Sequence, residues 1–368
     1  MKIGVLGAGV MGLCTAWALR RRGHDVTVFD QGAIPNPVSS SYDSHRIIRH
    51  AYGAMRGYAL MMPAAFAAWG RLWEDLGTSH YVAAPATYCL RMEFDWYGPV
   101  SDSLSRMGVP FRDVALEEVA RCLPMVNPEG LLRVVETQGA GLLLADRIVA
   151  GLAAHLAAQG VELRPHTQVA RVDAERGRLD EWEGDAVVVA AGAWVDRLLG
   201  ALPENPRASL QTVAYLEPPA EMAEAWATAP VLLNRLPGAA GGTYVLPPRA
   251  GTRLKIGDYA QAFAGDPDGA RVVDPDRLAA LMEAGAMAIA GFDRYRVVEA
   301  KSCFYTMTDD ERFAVRKLGA RGWLASACSG HGFKLAALIG ETLAEGVDGA
   351  RPAAEVTGYL AGRLTEPA

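Results

Sequence analysis

Three glycines stand in a Gly-x-Gly-x-x-Gly run, Gly7-Ala8-Gly9-Val10-Met11-Gly12, and an acid, Asp30, follows eighteen residues after the last of them. That spacing suits a bound dinucleotide. Gly7 permits a tight turn, Gly9 lets the backbone approach a pyrophosphate with no Cβ in the way, and Gly12 lets a helix pack closely on a strand. The N–H groups at Val10 and Met11 would face the phosphates at the positive end of that helix. Asp30 is placed to accept hydrogen bonds from ribose hydroxyls, and its charge would repel the 2′-phosphate of NADP. A second glycine-rich loop runs through Cys328-Ser329-Gly330-His331-Gly332-Phe333-Lys334. It allows a sharp turn close to a ligand and aims a helix start at it. Reduced flavin carries negative charge at its N1–C2 edge, which such a helix end would stabilise. Lys334 sits at that helix start, where a cation opposes the dipole, and a nearby anion would resolve the conflict. Arg49 supplies a second cation, whose planar fork matches a carboxylate.

The elements around these residues follow from apolar patterning. Residues 2–6 form a short apolar run of buried-strand type, 13–22 a helix, and 26–29 a second strand. The unit is strand–glycine turn–helix–strand. Further pieces of the same architecture are scattered along the chain. A helix is predicted over 146–158 and strands over 161–163, 169–172 and 185–190, the last running into Ala191-Gly192-Ala193-Trp194. A strand over 323–327 leads into the second glycine loop and a helix over 335–345. An NAD dehydrogenase would normally keep its nucleotide fold contiguous, so the scatter argues for a flavin.

The chain has 368 residues, long for one core, and two intertwined domains are expected. It is 51% hydrophobic and 21% charged with a net charge of -6. No dense Lys/Arg stripe appears, which argues against nucleic acid. Arg20, Arg21 and Arg22 read as a solvated helix end. The five cysteines, Cys14, Cys89, Cys122, Cys303 and Cys328, form no CxxC pair and no zinc-ligand spacing. Their odd number and the size of the chain disfavour a disulfide framework. Met1-Lys2 runs straight into the first strand, no stretch approaches the roughly 18 apolar residues needed to span a bilayer, and no internal repeat is found. A cytoplasmic monomer or small homo-oligomer is expected.

The chain resembles the monomeric sarcosine oxidase family, within the D-amino acid oxidase-like flavoproteins. The matches run from end to end: the Gly7–Gly12 run, Arg46-Ile47-Ile48-Arg49-His50-Ala51-Tyr52-Gly53, His166-Thr167-Gln168-Val169, Gly192-Ala193-Trp194, Leu254-Lys255-Ile256-Gly257, Cys303-Phe304-Tyr305-Thr306, and Ser329 to Lys334. The resemblance implies an α/β fold: a Rossmann-like FAD-binding domain built from 1–82, 141–208 and 310–368, and a second α+β substrate domain with a mostly antiparallel sheet from 83–140 and 209–309. It implies FAD contacts at Gly7, Gly9, Val10, Met11, Gly12, Asp30, Arg46, Val169, Gly192, Trp194, Gly330, His331, Gly332, Phe333 and Lys334. Arg49 and Lys334 would bind the substrate carboxylate. Arg46 would lie close to the flavin ring, and Cys303 would carry the flavin through a thioether. Lys255 would stand over flavin N5, where its charge favours reduction of O2. Tyr244 and Tyr305 would border the substrate.

Two positions depart from that pattern. Sarcosine oxidases carry a histidine four residues after the strand lysine, where this chain has Tyr259, and another four residues before Arg46, where it has Tyr42. The pocket wall is therefore expected to differ on the amine side. The reading that results is FAD-dependent oxidation of a secondary amine, or an N-methyl or cyclic amino acid, to an imine, with O2 reduced to hydrogen peroxide. A dehydrogenase passing electrons to a carrier and a proline- or pipecolate-like imino acid oxidase are the alternatives. No metal is expected.

Overall fold

The computed structural model describes residues 1–93, 97–238, 241–263 and 265–363. β1 (Lys2–Leu6), α1 (Val10–Arg21) and β2 (Asp25–Phe29) form the expected strand–helix–strand unit. β1 and β2 pair in parallel, and all but the first residue of each is buried, as befits strands covered on both faces. The helix starts three residues earlier than the sequence pattern indicates, because Gly9 is extended and caps it directly. Gly12 is required where α1 leaves the turn: a Cβ there would meet the Gly7 carbonyl oxygen at 1.8 Å.

β1 lies inside a six-stranded sheet. The order is Ala314–Leu318, Gly322–Ser326, Ala186–Val189, β1, β2 and Glu162–Arg164. Only the first pair is antiparallel; the others are parallel. The sheet thus draws strands from the beginning, middle and end of the chain. One expected strand is largely missing. Over 169–172 only Val172 enters a strand, Val172–Asp173, because the N–H groups of Ala170 and Arg171 donate to the Asp180 carboxylate at 2.9 and 2.8 Å instead of to a ladder. The helix expected over 335–345 opens with a 3-10 turn, Phe333–Leu335, before Ala336–Val347, and a further helix, Ala353–Leu360, follows it.

A second sheet has eight strands in the order Arg296–Met307, Arg207–Glu217, Leu254–Asp258, Thr243–Leu246, Val231–Arg235, Ala86–Leu90, Arg133–Thr137 and Phe111–Val114. Every neighbouring pair is antiparallel except Val231–Arg235 with Ala86–Leu90. The fold is therefore the mixed α/β architecture expected, a Rossmann-like sheet beside a mostly antiparallel one. A small third sheet contains β3 (Arg46–Ile48), paired with Gly141–Leu143. β3 carries Arg46, the first of the basic pair Arg46 and Arg49, to the cavity lining and within electrostatic reach of Tyr244, Cys303 and Tyr305. No helix among the described residues is long and apolar enough to cross a membrane.

Candidate active site

A cavity of about 370 Å³ opens along the Gly7–Met11 turn, within the size range of ligand pockets. Its lining includes Asp30 with Gln31 and Asn36, the basic residues Arg46 and Lys334 with Tyr305, the residues Val169, Gly192 and Trp194, and the loop residues Gly330, His331, Gly332 and Phe333. Asp30 suits ribose hydroxyls, the glycine turn suits a pyrophosphate, and the cations suit an electron-rich ring system. This donor set fits FAD. Some of the expected donors are already engaged. Val10 N–H donates to Ser41 Oγ at 2.9 Å. Asp30 accepts Ala8 N–H at 2.9 Å on Oδ2, and Gly32 N–H and the Asn36 amide at 2.8 and 2.9 Å on Oδ1. A carboxylate has about four acceptor sites, so Oδ2 keeps capacity on the cavity side.

The second glycine loop is tightly folded. Gly332 is required because a Cβ there would meet the Ala327 carbonyl oxygen at 1.7 Å. The N–H groups of His331 and Gly332 both donate to the Cys328 carbonyl. The His331 ring contacts the protein: Nδ1 is 3.3 Å from the Tyr52 hydroxyl, Nε2 is 3.0 Å from the Glu311 carbonyl, and the ring stacks on Phe313. Burial and the Lys334 charge push its pKa down to about 3, so it is neutral.

Arg46, which lines the cavity, also belongs to a buried charge network. Asp43 is 8% exposed and Lys255 1%. Asp43 Oδ2 accepts from both Arg46 Nη1 and Lys255 Nζ, and Oδ1 accepts from the Tyr215 hydroxyl and, at 2.8 Å, from Ser44 N–H. Arg46 also donates to the carbonyls of His45 and Ser40, at 3.1 and 2.8 Å. A strand lysine ordinarily points to solvent; this one points inward because its cross-strand partner Tyr215 reaches the same carboxylate. Burial against Arg46 pushes the Lys255 pKa down to about 8, and Asp43 opposes that. Cys303 is partly buried near Arg46, Asp43 and Lys255, with its thiol pushed up by burial. Cys328, not Cys303, borders the cavity.

Arg49 and Lys334 meet over one ring. The Arg49 guanidinium lies 5.4 Å from the Tyr52 centroid and Lys334 Nζ lies 5.0 Å from it. Arg49 is also 5.8 Å from the Tyr88 ring, and among the described residues its buried Nε has no hydrogen-bond partner. Lys334 is 4% exposed; burial and then the neighbouring Arg49 drive its pKa well below the lysine range. Among the described residues no carboxylate pairs with either cation. Tyr259 stands against Tyr244 with centroids 6.0 Å apart and within electrostatic reach of Arg49, and the hydroxyls of Tyr244 and Tyr305 interact.

The DAO model of FAD dependent oxidoreductases matches residues 2–346. The chain belongs to that family. It is an FAD-dependent amine or amino acid oxidoreductase. Monomeric sarcosine oxidase of Bacillus sp. (strain NS-129) is 26% identical over 370 residues, covering 93% of this chain and 91% of the relative. N-methyl-L-tryptophan oxidase of Yersinia pestis (strain Pestoides F) is 23% identical, covering 92% and 93%. Among solved structures, L-proline dehydrogenase from P. horikoshii superposes with a TM-score of 0.83 at 17% identity, over 98% of this chain and 97% of that one.

Within this FAD dependent oxidoreductase fold, sequence reasoning missed several residues of the site. Asp43 is the only acid between Asp30 and Glu74, and it stands in a stretch holding His45, Arg46, Arg49, His50 and Arg56. A lone acid amid cations was a readable signal for a buried pair. His45 is fully buried, with the Leu246 backbone as a polar neighbour of its ring. Tyr52 and Tyr88 carry no signal of their own, since their position depends on sheet packing. Tyr42, expected on the pocket wall, is instead 43% exposed. The segment turns just before β3 and puts Asp43 and His45 inward in its place.

Proposed function

We propose that this enzyme oxidises a secondary amine, or an N-methyl or cyclic amino acid, that carries a carboxylate, giving an imine and reducing O2 to hydrogen peroxide. One observation carries the reading: two cations lie within 5.4 Å of the Tyr52 ring centroid, and among the described residues no carboxylate pairs with either. Uncompensated buried charge is costly, so the site is built to be completed by an anion. The Arg49 fork takes the carboxylate bidentately and Lys334 adds a point charge. The tyrosines Tyr52, Tyr88, Tyr244 and Tyr259 exclude water and orient the amine. The two cations also lower the pKa of the bound ammonium and so favour the neutral amine that reacts. FAD would be held by the cavity residues from the Gly7–Met11 turn to Lys334 and would supply the two-electron chemistry that turns the amine into an imine and O2 into hydrogen peroxide. Lys255 and Arg46 supply positive charge where negative charge develops on O2.

An anaerobic panel of N-methyl and cyclic amino acids tests the reading, with loss of flavin colour and, on admitting air, peroxide as signals. Uncharged amines that bleach the flavin as well as acidic ones would remove it. A dehydrogenase remains the rival, favoured by the pairing of Lys255 with Asp43, which offsets its charge. Stopped-flow reoxidation by O2 separates the two.

Cys303 is proposed to hold the flavin covalently through a thioether. Acid precipitation of the holoenzyme is then expected to leave the yellow colour in the pellet, and Cys303→Ala to release it to the supernatant. Peptide mapping decides between Cys303 and Cys328, both of which lie near Arg46. Colour that stays in the pellet with Cys303→Ala moves the attachment elsewhere.

A further inference from the structure

The network around Lys255 contains a residue with no assigned part. Asp43 is buried, and its carboxylate accepts four hydrogen bonds from buried or half-buried donors: Arg46, Lys255, the Tyr215 hydroxyl and Ser44 N–H. Lys255 Nζ lies 3.4 Å from the His45 carbonyl in addition. The titratable groups facing the ammonium are Asp43, His45 and Arg46 from the segment leading into β3, Tyr215 from the strand Arg207–Glu217, and Cys303 from the strand Arg296–Met307. Of these only Asp43 is an anion in its ordinary state, since the Tyr215 hydroxyl and the Cys303 thiol are both pushed up and stay protonated. His45 is held neutral by burial and by Lys255.

An ammonium 1% exposed beside a guanidinium has every reason to lose its proton. Without Asp43 the two cations would confront each other in a dry site, and the weaker acid-holder, Lys255, would neutralise. A single carboxylate oxygen that accepts from both settles the conflict.

We propose that Asp43 is a positioning residue that keeps Lys255 protonated and fixed beside Arg46, so that the charge used when O2 is reduced is maintained by a buried carboxylate. This rests on the reading of Lys255 given above. The reduction of O2 to hydrogen peroxide takes two electrons, both from the bound reduced flavin, and two protons. Asp43 contributes to neither count; it sets the charge state of a neighbour. Tyr215 holds Oδ1 and leaves Oδ2 for the two cations.

The chain has five lysines, so side-chain NMR of lysine-labelled full-length holoenzyme resolves Lys255, with Lys255→Met to assign its signal. The wild-type signal is expected to titrate near 8. Asp43→Asn is expected to titrate roughly 1–3 pH units lower, the usual influence of an opposite charge at this range, and Asp43→Glu to return most of the way. Tyr215→Phe, which leaves the carboxylate in place, is expected to stay near the wild-type midpoint. In stopped flow, the rate of reoxidation by O2 falls as pH rises through each midpoint, because the charged form is lost; Asp43→Asn falls earlier than wild type. A Lys255 signal that titrates with the exposed lysines, or that is already neutral at pH 7 in the wild type, overturns the proposal even should Asp43→Asn fail to fold. So does an Asp43→Asn midpoint equal to wild type. Reoxidation of Lys255→Met at the wild-type rate instead defeats the role given to Lys255, while the titrations still judge Asp43.

Discussion

Replacing Arg49 with Ala is expected to lower kcat/KM for a carboxylate-bearing amine by roughly 10²–10³-fold. Truncating one member of a desolvated, hydrogen-bonded charge pair typically costs about 2–5 kcal/mol, and each 1.4 kcal/mol is about tenfold. The loss should divide between binding and turnover, because a carboxylate that slips out of the fork also misplaces the carbon beside nitrogen. Arg49→Lys keeps the charge and loses the planar fork, so an intermediate loss is expected. The discriminating measurement is a pair of substrates, one acidic amine and its neutral amide. Arg49→Ala should hardly change the rate with the amide. An equal fall for both would mean that Arg49 supports the fold of the pocket and not the carboxylate.

Lys334→Met is expected to abolish most activity toward acidic substrates and at the same time to make the protein more stable. Lys334 is 4% exposed, lies under Tyr52 and has no carboxylate partner among the described residues. Methionine is similarly long and apolar. Its backbone would still accept the Trp69 indole N–H, now 2.8 Å from the Lys334 carbonyl. Swapping a buried charge for an apolar side chain of like volume is worth on the order of 1–4 kcal/mol, or several degrees in Tm for a chain of this size.

The sign with pH is fixed by the direction of the shift. The folded-state pKa of Lys334 is depressed, so the unfolded chain binds the extra proton and the wild type gains stability as pH rises toward the unfolded value of about 10.4. The advantage of the variant should therefore be largest at neutral pH and below, and vanish near pH 10. A carboxylate ligand should raise the Tm of the wild type and not of the variant. A variant less stable than wild type at neutral pH would show that Lys334 is satisfied within the protein. The anion-seeking character of the pocket would then be lost as an argument.

Much of the fold could be read from local patterning, and the reasons are local. Gly7, Gly9 and Gly12 reported a turn because a Cβ at Gly12 has no room. Short continuous apolar runs reported β1 and β2 because parallel strands bury both faces. The strand expected at 169–172 failed where a side chain ten residues on, Asp180, competed for the backbone N–H groups. Apolar patterning does not register that competition, which is between hydrogen-bond acceptors for the same N–H groups.

What the chain determined by itself is the set of parts: a dinucleotide turn, an acid at the end of β2, two basic residues three apart in 46–49, a strand lysine, and a glycine loop ending in Lys334. Tertiary structure decided which of these parts face one another. Arg49 and Lys334 are 285 residues apart and share one tyrosine ring. Lys255 and Asp43 are 212 residues apart and form a buried pair. Charge and hydrogen bonding act over a few ångströms of space, whatever the separation along the chain. The sheet register that brings Tyr215 opposite Lys255, and both onto Asp43, exists only once strands from distant segments have paired.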